Sequence, residues 1–174
     1  HNSTMRINIE QLNDSNATRF VELLGGIFEH SPWVAERVYD KRPFVSRVDL
    51  HRRMVAVVHE ASQQQRRELL CQHPELAGKE ADANSLTDAS KREQAGAGLN
   101  QCSAAELARI KHFNQAYSTK HGFPFIIAVT GLDKLQIIGA MEQRLDNQVE
   151  SEFTTAIGEV EKIAMIRLNA LIDE

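Results

Sequence analysis

Two cysteines, Cys71 and Cys102, are all that this chain of 174 residues contains. They sit in no spacing that a metal centre or a disulfide framework would use, which argues against a zinc site built on cysteine and against a stapled scaffold. Long apolar runs are also missing. None approaches the roughly 20 residues needed to span a bilayer, so no membrane partner is expected. The N-terminus lacks the basic-then-apolar pattern of a leader, and His1 to Thr4 read as a leftover of cloning ahead of Met5. The last residues, Leu171-Ile172-Asp173-Glu174, form no peroxisomal address. A reducing cytoplasm is the simplest location. Positive charge is not in excess either: Lys+Arg 20 against Asp+Glu 24 gives a net charge of −4. With no basic cluster interleaved with aromatics, nucleic acid is not an expected partner. His30, His51, His59, His112 and His121 form no HExxH-like pair, so no metal is expected.

What is present is an ordinary soluble composition, 42% hydrophobic and 25% charged. The length suits one domain with a real core, here expected over residues 5–174. Asn13-Asp14-Ser15 forms an N-cap cluster, after which Phe20, Leu23, Leu24 and Ile27 fall at helical spacing. Gly25-Gly26 either interrupts that helix or admits another backbone. Ser31-Pro32 opens a second helix, with Ser31 as cap and Pro32 at the first helical position, and that helix ends before Arg42-Pro43. A third helix is predicted to start after Ser46 or Asp49 and to run to His73. At about 100° per residue, His73 returns to the azimuth of Val55 and points with the buried stripe, and Pro74 stops the helix behind it.

Gly78 to Asn84 reads as a polar loop. Ser90 to Glu93 fits a capping box, followed by a glycine-interrupted stretch, Gln94 to Leu99, whose two glycines suggest close approach by a backbone or a ligand. Ser103 to Glu106 is a second capping box, opening a long helix with Ile110, Phe113, Asn114 and Tyr117. The helical rhythm then breaks at residues 123–129, an apolar, extended-looking run between Gly122 and Gly131. No other clear strand is visible. The main-chain groups of that run are therefore left without a sheet partner and available for other work. Asp133 or Lys134 begins another helix, and a last one covers about Ser151 to Ile172. There Arg167 lies within about 40° of Phe153 on the helical wheel, inside an apolar stripe. With no repeat and no low-complexity tract, the expectation is an all-α, single-domain bundle of about eight or nine helices with one short extended segment.

The densest polar grouping is His73-Pro74-Glu75-Leu76-Ala77-Gly78-Lys79 together with Ser90-Lys91-Arg92-Glu93-Gln94. An imidazole that titrates near ~6.5 is the natural proton carrier at neutral pH, although a helix-terminal histidine can also be purely structural. Ser90 and Glu93 could serve the helix start alone, while a helix N-terminus also favours anions. A buried Arg167 would need an anionic partner, for which a substrate carboxylate would serve; an exposed one would simply snorkel. Spacing alone leaves each pair of readings open.

Four ordered motifs make the pattern specific. They are residues 23–35 (Leu-Leu-Gly-Gly-Ile-Phe-Glu-His-Ser-Pro-Trp-Val-Ala), His73 to Lys79, Ser90 to Leu99, and His121 to Ile127. In these the chain closely resembles the 2-oxo-4-hydroxy-4-carboxy-5-ureidoimidazoline (OHCU) decarboxylases of urate breakdown, from about Ile9 to Leu171. The resemblance implies an all-helical, cofactor-free decarboxylase that converts OHCU to (S)-allantoin with loss of CO2. It implies His73 as catalytic proton donor, Glu93 as its partner, and Pro74 lining the pocket. Substrate contacts are implied for Ser90, Lys91, Arg92, Glu93 and Gln94, for the main chain of Phe125, Ile126, Ile127, Ala128 and Val129, and for Arg167. Family members occur as dimers, so a homodimer is one candidate assembly. The alternative from another class is a non-catalytic helical module that binds a small ureide or a protein partner.

Overall fold

The computed structural model describes residues 6–78 and 86–174. His1 to Thr4, and the expected polar loop from Lys79 onward, lie outside the described residues. Nine α-helices are present among the described residues, and the all-α expectation holds. The chain forms two compact units, His1–Gln72 with Glu161–Glu174, and His73–Val160.

The first unit contains α1 (Ile9–Asp14), α2 (Ala17–Leu24), α3 (Trp33–Val38), α4 (Arg47–Glu60), α5 (Gln63–Cys71) and the end of α9 (Val149–Leu171). Asn8 caps α1 through a reciprocal pair with Gln11, and Asn16 caps α2 by accepting from Arg19 N. The Asn13-Asp14-Ser15 cluster is therefore the end of a short helix rather than the start of the next. Pro32, not Ser31, occupies the cap position of α3, and the Ser31 hydroxyl donates to the Glu29 carbonyl instead.

The helix expected from Ser46 to His73 is two helices. Ser46 caps the first, as expected, but Ser62 forms a capping box with Gln65 and starts α5 afresh. A helical projection carried from Val55 to His73 crosses that break and has no meaning. A two-residue parallel pairing of β1 (Ile7–Asn8) with β2 (Ile172–Asp173) also went unseen in the sequence, because two residues carry no alternation. The core of this unit gathers Leu12, Phe20, Leu24, Val38, Phe44, Leu50, Met54, Val58, Leu70 and Leu168, each nearly inaccessible. Phe20 packs edge-on against Tyr39, with centroids 5.2 Å apart.

The second unit contains α6 (Asp88–Gly96), α7 (Ala104–His121), α8 (Lys134–Leu145) and the first part of α9. The capping boxes Ser103/Glu106 and Asp133/Gln136 open α7 and α8, and Gly122 ends α7 in the left-handed conformation at φ 82°. Between α7 and α8 the chain from Pro124 to Val129 has no regular structure, in keeping with the extended run expected there. Its aromatic residues fill the core: Tyr117 meets Phe123 and Phe125 edge-on at 5.9 and 5.3 Å. Ile137, Ile138, Met141, Ala156 and Val160 complete it. No helix among the described residues is long and apolar enough to cross a membrane.

Candidate active site

His73 lies just past the end of α5, on a loop rather than in a helix, and is 9% exposed. The loop is held at Leu76 and Ala77. Ala77 N donates to Gln94 Oε1 at 2.9 Å, and Asn114 Nδ2 donates to the Leu76 carbonyl at 3.0 Å. Leu76 is itself buried, and Ala77 adopts a left-handed backbone at φ 49°.

Helix α6 faces this loop. Its cap is Thr87, whose hydroxyl accepts from Ser90 N, so Ser90 is the third helical residue and not the cap. The capping box expected at Ser90 to Glu93 is therefore one turn out of place. The displacement is informative, because Ser90, Gln94 and Ala97 follow one another at helical spacing and are all buried. Ser90 and Gln94 thus belong to the inward stripe of α6, with Glu93 half-buried beside it, while Lys91 and Arg92 are exposed. Of the two glycines, Gly98 is required by its φ of 82°, whereas a Cβ at Gly96 would meet nothing within 4 Å. Neither shows the close backbone approach that the sequence suggested.

The Phe125–Val129 main chain has more partners than expected. Arg144 of α8 donates through Nη1 to the Ile126 carbonyl at 2.8 Å, and Ala128 N donates to Glu159 Oε1 of α9 at 2.9 Å. The Arg144 guanidinium also lies 4.3 Å from the centre of the Phe125 ring. Its Nε donates to Glu152 Oε1 at 2.8 Å. Glu152 is fully buried and accepts further bonds from Tyr117 Oη at 2.5 Å and Asn147 Nδ2 at 2.9 Å. Burial alone would raise the carboxyl pKa. The bonds from Asn147, Tyr117 and Arg144, with the Arg144 charge, outweigh it and hold the group below the usual glutamate range. The run has no sheet partner among the described residues, as expected, but two of its main-chain groups, the Ile126 carbonyl and Ala128 N, are committed to side chains and not left available.

Arg167, in the first unit, is 7% exposed, and its anionic partner lies within the protein. Its Nη1 donates to Glu29 Oε1 at 2.9 Å and to the Gly26 carbonyl at 3.2 Å. Glu29 is completely buried. Sequence reasoning gave Glu29 no role, although a buried Arg167 calls for an anion and Glu29 lies inside the first quoted motif. Among the described residues no group of three His, Cys, Asp or Glu side chains could hold a metal ion.

The second unit thus holds a buried imidazole on a loop that is bonded to α6, a helix that buries a hydroxyl and an amide. A sequence profile of the OHCU decarboxylases matches residues 13–169, and the chain belongs to that family. It is 41% identical over 166 residues to the 2-oxo-4-hydroxy-4-carboxy-5-ureidoimidazoline decarboxylase of Halalkalicoccus jeotgali, covering 95% of this chain and 92% of that one. The uric acid degradation bifunctional protein of Bacillus sp. (strain TB-90) is 40% identical over 95% of this chain, which spans only 32% of its length. Among solved structures, an (S)-allantoin synthase is similar with a TM-score of 0.77 at 34% identity, over 96% of this chain and 54% of that one.

Proposed function

We propose that this chain decarboxylates OHCU to (S)-allantoin, without a cofactor and in the cytoplasm. The observation that carries the proposal is the 41% identity to a decarboxylase of that name over nearly the full length of both chains.

The chemistry needs little beyond placed donors and acceptors. The bond from C4 to the carboxylate breaks, and its electron pair forms a C4–C5 double bond while the ring C=N takes up electrons at nitrogen, which is then protonated. The resulting enol loses its hydroxyl proton and gains one at C5, on one face only. The substrate is its own electron sink, so no metal or electron-accepting cofactor enters this scheme. In this reading His73, partnered by Glu93, takes the 4-hydroxyl proton and delivers one to C5. Ser90 and Gln94 hold polar substrate groups, and main-chain groups of Phe125–Val129 orient the ring.

The test is to supply freshly generated OHCU and follow the product by chirality. (S)-Allantoin above the racemic background of spontaneous decay is expected, and racemic product at the uncatalysed rate sinks the proposal. His73→Asn should lose about 10²–10⁴-fold in turnover with the fold retained, the usual contribution of a general acid–base group. Near-normal turnover would remove His73 from the reaction.

A further inference from the structure

The two bonds that pin the His73 loop converge on a single peptide group. The carbonyl of Leu76 and the N–H of Ala77 belong to the same amide plane, and each is taken by a side-chain amide from a different helix. Gln94 of α6 accepts the N–H at 2.9 Å, and Asn114 of α7 donates to the carbonyl at 3.0 Å. Gripping both ends of a rigid amide plane fixes its orientation as well as its position. The next Cα, that of Ala77, sits at φ 49°, a conformation that a residue with a Cβ holds only when its surroundings enforce it. Only Pro74 and Glu75 separate His73 from the clamped residues, and the proline ring locks one of the few intervening torsions. Asn114 is 5% exposed, and its Oδ1 is buried without a hydrogen-bond partner among the described residues. An interior asparagine kept for packing alone would not normally leave an acceptor unsatisfied.

We propose that Asn114 is a positioning residue for the reaction: by holding the Leu76–Ala77 peptide it sets the imidazole of His73 against the carbon to be protonated. This rests on His73 being the proton-transferring group.

Two variants test it. Asn114→Asp keeps the shape but, when ionised, turns an oxygen toward the Leu76 carbonyl; once protonated it can donate to that carbonyl again. Asn114→Leu removes the donor and also the unsatisfied acceptor. With folding checked by circular dichroism, both should lose at least 10-fold in kcat with KM within about 3-fold of the parent, and should release allantoin of lowered enantiomeric purity. For Asn114→Asp the kcat relative to the parent should recover as the pH falls. In a His73→Asn background neither should cost more than a further 2-fold. Folded variants with unchanged kcat and enantiomeric purity, or with equal losses in both backgrounds, overturn the proposal. Failure of both to fold does so too, by assigning Asn114 to the core. Should His73→Asn alone keep full activity, the reading beneath the proposal fails instead, and that result is distinct.

Discussion

Replacing Glu152 by Gln isolates the buried cluster that holds the Ile126 main chain. The carboxylate is fully buried and accepts from Tyr117, Arg144 and Asn147 at 2.5, 2.8 and 2.9 Å. Hydrogen bonds to charged groups contribute about 1.5–3 kcal/mol each, and deleting one member of a buried ion pair costs about 3–5 kcal/mol, since the remaining charge is stranded. Glutamine retains an oxygen that can accept from Tyr117 and Arg144, but its amino group replaces the oxygen that accepted from Asn147. That places the cost of Glu152→Gln near the lower end, about 3 kcal/mol, and that of Glu152→Ala near 5 kcal/mol. At about 2–4 °C per kcal/mol for a chain of this size, the glutamine variant should melt about 6–12 °C lower. Urea unfolding followed by far-UV circular dichroism measures the free energy directly. A Glu152→Gln protein within about 1 kcal/mol of the parent would refute the idea that the Arg144–Glu152 pair is a stressed, desolvated unit rather than a solvated one. Because Arg144 also holds the Ile126 carbonyl, the same variant should raise KM for OHCU if that main chain orients the ring.

Acid should weaken the fold in a definite window. Asp49 is held below its usual range by the bond from Val45 N, against burial and with help from Arg52 and Arg53, and Glu152 is lowered as described above. Both depressed carboxylates contribute stability that is fully present above the unfolded-state values, 3.8 and 4.5, and is lost as the pH falls through the lower folded-state values. The urea midpoint should therefore stay flat on this account above about pH 5 and decline steeply below about pH 4; in Glu152→Gln the decline should be shallower. The two glycines near α6 should respond oppositely to alanine. Gly98→Ala forces a Cβ into the left-handed region and should cost about 1 kcal/mol, while Gly96→Ala, helical and open, should gain about 0.5–1 kcal/mol. Thermal unfolding of the pair checks both signs, and loss of activity in Gly96→Ala would show that a ligand needs the space after all.

Much of the helical frame was legible because its signals are local. The Ser103/Glu106 capping box, the Ser46 cap and the Gly122 stop each lie within a few residues of the boundary they set. The errors came where two local signals competed. Ser62 and Gln65 are as good a start signal as any in the chain, yet apolar residues on both sides suggested continuity, and a 14-residue and a 9-residue helix were read as one. At α6 the competition was between Thr87 and Ser90, three residues apart and both able to cap; the structure uses Thr87 and buries Ser90.

The candidate site was legible as residue types but not as partnerships, for a reason that lies in sequence separation. Gln94 reaches Ala77 across 17 residues, Asn114 reaches Leu76 across 38, and Arg167 reaches Glu29 across 138. Periodicity reports only which face a residue occupies, so it could place Asn114 and Arg167 among buried neighbours without naming their partners. What it does supply is an obligation, because a buried donor has to find an acceptor and a buried cation an anion. The obligation of a buried Arg167 was recognised, with a substrate carboxylate as one partner that would serve; the protein meets it with Glu29. A guanidinium already compensated by a buried carboxylate gains less from a second anion than a lone one would. The burial of Arg167 is accordingly explained within its own unit, by Glu29 and the Gly26 carbonyl, and calls for no substrate carboxylate.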